Sequence, residues 1–179
     1  MNRYKKRTTR EILAENLGRT PPAQLRNAAV WLHNIRSMYN VGAAFRSCDA
    51  FGCGHLYLSG YTPVPPRPEI SKTALGADET VSWSFIKEPL DFLTTAKQAG
   101  SHLVGIEQTK DSGMLTDFRA APGQKVIFFF GNEVTGLDDA LLPLMDQCLE
   151  IPQFGHKHSL NVSVTIGTVL YHMLLSSIK

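Results

Sequence analysis

The sequence predicts an α/β domain built on a mainly parallel sheet. Short apolar runs at 28–32, 103–106 and 125–130 alternate with stretches of helical spacing, the pattern of strands joined by crossover helices. Polar clusters follow several of these runs, most plainly Gly131-Asn132-Glu133 after KVIFFF. In an open α/β sheet, ligands bind outside the carboxyl ends of the strands. Right-handed crossovers are the default, and periodicity alone reveals no more unusual topology.

Residues 9–18 read as a short helix. Thr8 or Thr9 caps it, Ile12, Leu13 and Leu17 give an apolar face, and Gly18 ends it. Pro21-Pro22 then breaks the chain. Residues 1–26 are taken as an extension with too few apolar residues for a core, and residues 27–179 as the domain. Residues 28–32 form a strand and 34–37 a polar turn. From Tyr39, the residues Val41, Ala44, Phe45, Cys48 and Phe51 fall at helical spacing until Gly52 and Gly54. A second strand covers 55–59. The stretch 61–72, with four prolines, reads as a long loop, and 72–76 as a helical turn. A weakly alternating strand follows at 81–86. Residues 89–100 form a helix with Pro89 in its first turn and Gly100 past its end. After the strand at 103–106, a loop at 109–123 holds a strand-like Gly113-Met114-Leu115. The strand at 125–130 comes next. Residues 137–145 are expected to be helical, with Asp138 and Asp139 suiting the helix dipole. A last strand at 148–151 leads through a loop at 152–158 to a closing helix from about Ser159. That helix is apolar around most of its circumference, which hints at a subunit interface.

The length of 179 residues suits one domain with a real core. No apolar run reaches the ~18–20 residues needed to span a bilayer, and no apolar segment follows the basic start, so no secretory signal is expected. Cys48, Cys53 and Cys148 form neither a disulfide framework nor a zinc spacing, which fits idle thiols in a reducing cytoplasm. Charge is uneven. Residues 1–26 carry seven Lys and Arg against two Glu, a net +5; the remainder carries a net −3. A basic arm on a near-neutral body points to a polyanion partner or to a solvated tail.

Walker-type, G-x-G-x-x-G and G-x-S-x-G motifs are absent. His156 and His158 lack a third ligand, so no metal is expected. The informative residues are three polar clusters: Asn34-x-Arg36 with Asn40 and Arg46; Gly131-Asn132-Glu133 with Gly136; and Ser159-Leu160-Asn161 with Ser163. Singly, Asn34 and Asn40 read as turn or cap residues, Ser159 as a helix cap, and Glu133 as a surface acid with Arg46 as its ion partner. Gly131, lacking Cβ, would let a backbone approach a ligand.

Together, in this order and spacing, the segments NIRSMYNVGAAFRSCDAFG, FFFGNEVTGL and IPQFGHKHSLNVSVTIGTVLYHML resemble the three motifs of the SpoU (TrmH-like) 2′-O-ribose RNA methyltransferases of the SPOUT superfamily. The resemblance runs from about residue 28 to 178. It implies a carboxyl-terminal segment threaded as a deep trefoil knot, S-adenosylmethionine held in the knot loops, and a homodimer sharing its active sites. It implies that Gly131, Ile151 and Leu160 grip the cofactor and that Asn40, Arg46, Glu133, Ser159 and Asn161 form the catalytic cluster. The implied substrate is tRNA or rRNA, with tRNA preferred because compact relatives act there. A non-catalytic dimeric RNA-binding protein that keeps the cofactor pocket is the reading from another class.

Overall fold

The structure, a computed structural model, describes residues 4–178; Arg3 of the basic extension lies outside them. In chain order it contains α1 (Thr9–Leu17), α2 (Ala23–Arg26), β1 (Ala28–His33), α3 (Met38–Phe51), β2 (His55–Ser59), α4 (Pro68–Ala74), α5 (Ala77–Thr80), β3 (Trp83–Ile86), α6 (Pro89–Gln98), β4 (His102–Ile106), β5 (Gly113–Met114), β6 (Val126–Phe130), β7 (Gln147–Glu150) and α7 (Val162–Ser177). The strands form one sheet in the order β3-β2-β1-β6-β4-β7-β5. Every pairing between them is parallel.

Parallel sheets are covered on both faces, and β6 shows why its sequence is apolar at every position. Val126, Phe128 and Phe130 face a core shared with α3, α4 and α7, including Phe45, Ile70 and Met173. Ile127 and Phe129 face the other way, toward Trp31, Leu93 and Leu141. Trp31 stacks on Phe129 at 4.9 Å between ring centroids and meets Phe92 edge-on. Its indole N–H donates to Ser59 Oγ at 2.6 Å, which satisfies the ring's one polar atom.

Helix α3 begins at Ser37, whose Oγ accepts from the Asn40 N–H, and ends at Gly52 in the left-handed region, φ +66°. Helix α1 carries a capping box between Thr8 and Glu11 but buries no residue. By contrast, Leu25 of α2 is fully buried in the core. Among the described residues no helix is long and apolar enough to cross a membrane.

Three sequence expectations are corrected, and one short helix is added where none was expected. Residues 137–145 are not an α-helix: turns lead to a single 3-10 turn at Leu142–Leu144, because Pro143 lacks the N–H that a longer helix needs. The stretch 61–72 is a loop only to Arg67; Pro68 then serves as the first residue of α4, a position where its fixed φ is already helical. Residues 77–80, which carry no helical signal of their own, form the short helix α5. The closing helix starts at Val162, not Ser159, since Asn161 caps it: its Oδ1 accepts from the Ser163 N–H at 2.8 Å.

Truncating Phe129 to alanine removes a fully buried ring from the Trp31 stack. The expected cost is about 3–5 kcal/mol of stability, read as a lower urea midpoint with an unchanged slope.

Candidate active site

The site is built where β1, β4, β6 and β7 end. Because Leu32 pairs with Phe130 in register, the turn after β1 and the loop after β6 leave the sheet side by side. Asn132 and Glu133 then hold that turn. Asn132 Nδ2 donates to the Asn34 carbonyl at 2.8 Å, while its Oδ1 accepts from Val134 and Thr135 within its own loop. The Glu133 carboxylate accepts from the backbone N–H groups of Arg36 (3.0 Å) and Ser37 (3.1 Å) and from Asn40 Nδ2 (2.9 Å). Asn40 Oδ1 in turn accepts from Asn161 Nδ2 at 3.2 Å. One chain of bonds thus joins all three polar clusters.

Burial pushes the Glu133 carboxyl up, but the Arg36 N–H and the Asn40 amide, helped by the Glu133 and Ser37 N–H groups, outweigh it, and its pKa falls below the ordinary value. Glu133 is therefore ionised at neutral pH, with its carboxylate tied to three donors of the turn after β1 and the start of α3. The reading of Glu133 as an ion partner of Arg46 is wrong for this chain, and so is the reading of Asn40 as a cap, a role that Ser37 fills.

Gly131, Glu133, Ser159, Leu160 and Asn161 line a cavity of about 310 Å³. Ile151, Glu133, Ser159 and Leu160 line an adjoining one of about 330 Å³. Both lie within the size range of small-molecule pockets. Seven of the eight expected site residues therefore gather here, Asn40 through its bonds to Glu133 and Asn161. Arg46 does not. It is exposed on α3 beside a separate cavity lined by Ser47, Lys72 and Thr73, and makes no hydrogen bond or ion pair among the described residues. The reason for a glycine at 131 also changes. A Cβ there would collide with the backbone of Gly136 and Leu137, so glycine is needed for the loop to fold back on itself.

Two residues escape a reading of the sequence. Glu107, at the end of β4, lines both cavities and accepts from the Leu137 N–H at 2.9 Å, fastening the far end of the 131–137 loop. Tyr61 accepts from Asn132 Nδ2 through its hydroxyl at 2.8 Å. Glu107 does carry a signal, an acid directly after an apolar strand; nothing local marks Tyr61.

The turn after β1 has a second support. Asn34 sits in the left-handed region, φ +57°. Its Oδ1 accepts from the Tyr61 N–H, which turns its Nδ2 toward His33 Nε2. His33 then donates from Nδ1 to Ser59 Oγ. Burial lowers the His33 pKa, outweighing the nearby Asp138, so this ring is neutral, as the bond from Asn34 requires.

The donor set suits a cationic, partly apolar cofactor. Glu107, Glu133 and Glu150 line the cavities together with Ile106, Leu149 and Leu160. Along 153–160 the backbone makes no bond to other backbone among the described residues; the His158 carbonyl accepts only from Gln108 Nε2. Such a loop has N–H and C=O groups free to read a planar heterocycle. Among the described residues no group of three or more His, Cys, Asp or Glu side chains is placed to hold a metal ion.

The model of the SpoU rRNA Methylase family matches residues 27–171. The chain is 30% identical over 146 residues to the tRNA (guanosine(18)-2′-O)-methyltransferase of Aquifex aeolicus, covering 79% of this chain and 66% of that protein. It is 28% identical over 160 residues to a 23S rRNA (guanosine-2′-O-)-methyltransferase of Neisseria meningitidis, covering 89% of this chain and 60% of that one. The chain therefore spans less than two thirds of the length of these relatives. Among solved structures, the SpoU methyltransferase AviRb of Streptomyces viridochromogenes in complex with AdoMet superposes with a TM-score of 0.74 at 26% identity, covering 84% of this chain and 60% of that one.

Replacing Glu133 by glutamine puts an amide where donors converge. Stability should fall by about 1 kcal/mol, less than for buried bonds to a charged group because the carboxylate is solvent-exposed. With the folded pKa depressed, the wild-type advantage is whole above the unfolded value of about 4.3 and disappears as pH falls through the lower folded value. Denaturation midpoints of both proteins from pH 7 to 3 check this; a gap independent of pH would contradict it.

Proposed function

The chain belongs to the SpoU rRNA Methylase family, and on that premise we propose that it is a cytoplasmic S-adenosylmethionine-dependent enzyme that methylates a ribose 2′-hydroxyl in RNA. Transfer RNA is the preferred substrate class and rRNA the second. The observation that carries this reading is the bonded chain Glu133–Asn40–Asn161 along the wall of the cavities that Gly131, Ile151 and Leu160 line.

Gly131, Ile151 and Leu160 would hold the cofactor, whose chemistry is an electrophilic methyl group on a sulfonium. The remaining work falls to the protein. A 2′-hydroxyl is a weak nucleophile, and most of the rate gain available here is positioning. Asn40 and Asn161 fix one another and, with Ser159, offer hydrogen-bonding groups beside the cavity. Glu133 orients Asn40 and the turn after β1, and its lowered pKa makes it a poor acceptor for the hydroxyl proton. Arg46 offers five N–H donors and no acceptor, so it is suited to binding phosphate and the 2′-oxygen, not to removing a proton.

The enzyme acts as a homodimer. Val164, Tyr171 and Leu175 leave an exposed apolar stripe on α7, continued by Ile178 just past its end, and α3 packs against that helix. A second copy covering the stripe would let Arg46 serve a site it does not reach in its own chain. The carboxyl-terminal segment is threaded as a deep trefoil knot, a reading supported by the 131–137 and 153–161 loops sharing the walls of the same cavities.

The amino-terminal arm binds RNA phosphates. Arg7 and Arg19 both pair with Glu15, whereas Lys5, Lys6 and Arg10 have no ion pair among the described residues. Since α1 buries nothing, deleting residues 1–20 should leave the fold intact, weaken RNA binding and flatten its salt dependence by about 0.7–0.9 for each phosphate that the arm neutralises. An unchanged slope in a filter-binding titration would refute this role.

Transfer of labelled methyl from S-adenosylmethionine into unmodified total tRNA and rRNA tests the function. Wild type should label one RNA class. Arg46→Ala should lose at least about a hundredfold in rate while calorimetry finds cofactor binding within twofold. Cofactor binding by the wild type without label in either RNA would favour the non-catalytic reading. Loss of both binding and transfer in Arg46→Ala would make that residue structural.

A further inference from the structure

On the other side of the turn after β1 lies a larger cavity, about 620 Å³, that none of the catalytic or cofactor assignments uses. Arg36, Tyr61, Val64, Arg67 and Phe85 line it, and no acidic residue does. Neither the Arg36 nor the Arg67 guanidinium makes a hydrogen bond or ion pair among the described residues. Tyr61 and Phe85 are 60% and 41% exposed, large aromatic surfaces left open to solvent beside two unpartnered cations. The cavity sits beyond the carboxyl ends of β2 and β3, at the same end of the sheet as the candidate active site.

It is also wired to that site. The Tyr61 hydroxyl accepts from Asn132, and the Tyr61 N–H donates to Asn34. Arg36 gives its backbone N–H to Glu133 and also lines the cavity. The wall of this cavity and the scaffold of the site are therefore the same few residues.

We propose that this cavity is a nucleotide subsite, which takes an unpaired nucleotide of the substrate RNA next to the one whose ribose is methylated. This rests on the RNA methyltransferase reading above. Arg36 and Arg67 take the phosphate, since guanidinium groups match its oxygens in pairs. Tyr61 and Phe85 take the base, since unstacked bases of RNA are held on aromatic faces. An anionic ligand without a ring would leave Tyr61 and Phe85 unused, and an apolar one would leave two arginines desolvated without a partner. The Pro-rich stretch 63–68 makes a stiff rim, which limits the ordering cost on binding.

The test is fluorescence anisotropy with a labelled ten-nucleotide oligouridylate, without cofactor and over a salt series; stacking tolerates any base. Arg67 and Phe85 are varied because Arg36 and Tyr61 also hold the active site. Arg67→Gln should weaken binding and reduce the slope of log K against log salt by about 0.7, one phosphate on a single strand. Arg67→Lys should restore the slope. Phe85→Ala should weaken binding about tenfold with the slope unchanged. Lys125→Gln, at the amino-terminal edge of β6 and the opposite end of the sheet, should change neither. Thermal melts confirm that each variant is folded.

An unchanged slope in Arg67→Gln, an equal loss in Lys125→Gln, or full affinity in Phe85→Ala would overturn the subsite. So would a wild type that ignores the oligonucleotide yet labels total RNA, an outcome that leaves the methyltransferase reading standing.

Discussion

Two consecutive side chains, Asn132 and Glu133, hold together everything that the three polar clusters build. They belong to one loop and bind one turn almost a hundred residues earlier in the chain. That reach is possible only because β1 and β6 are hydrogen-bonded neighbours in a fixed register. Parallel strands release their next segments at the same end of the sheet, so register decides which loops meet. The apolar β6, sealed on both faces by aromatic rings, is in this sense the foundation of the polar site. A slip of one residue would turn Phe129 out of its stack with Trp31 and carry Glu133 away from the Arg36 and Ser37 N–H groups.

The parts of this architecture that depend on local chemistry are legible in the sequence. Apolar runs locate the seven strands to within two or three residues, and the helix from 89 is flagged by Pro89 and Gly100. The failures are also local. At 137–145 the acids and leucines imitate a helix, but Pro143 removes a donor in its middle. At 68–74 the prolines imitate a loop, although Pro68 opens a helix there. In both cases a proline's position relative to the helix start, not its presence, decides the outcome.

The site divides along the same line. Asn40, Glu133, Ser159 and Asn161 can be nominated together because each stands beside a strand end and because their order resembles a known family. Their individual roles cannot. Glu133 reads as a partner for Arg46, and only the fold brings it to two backbone N–H groups and an amide. Tyr61 lies 71 residues from Asn132, a pairing with no local signature. His33 falls just past the strand read at 28–32, yet its neutral ring fixes Asn34, which fixes the same turn from behind. Such bonds become visible once strand order is known.

Arg46 carries a constraint that the helical spacing alone contains. It follows Asn40 by six residues on a regular helix, which rotates it by about 600°, or about 120° around the axis from Asn40, and displaces it by about 9 Å. Two side chains so placed leave the helix in different directions. Asn40 turns toward Glu133 and Asn161; Arg46 turns toward Lys72 and Thr73 on the rim of α4. In its own chain Arg46 lines a cavity apart from the cluster, so we propose that the arginine serving the cluster comes from a second copy. The proposed dimer supplies one, and it does so through α7, the helix that packs on α3 and leaves its own apolar stripe bare. On that arrangement the dimer completes the active site, and the exposed stripe, the unpartnered arginine and the half-built cluster have a single explanation.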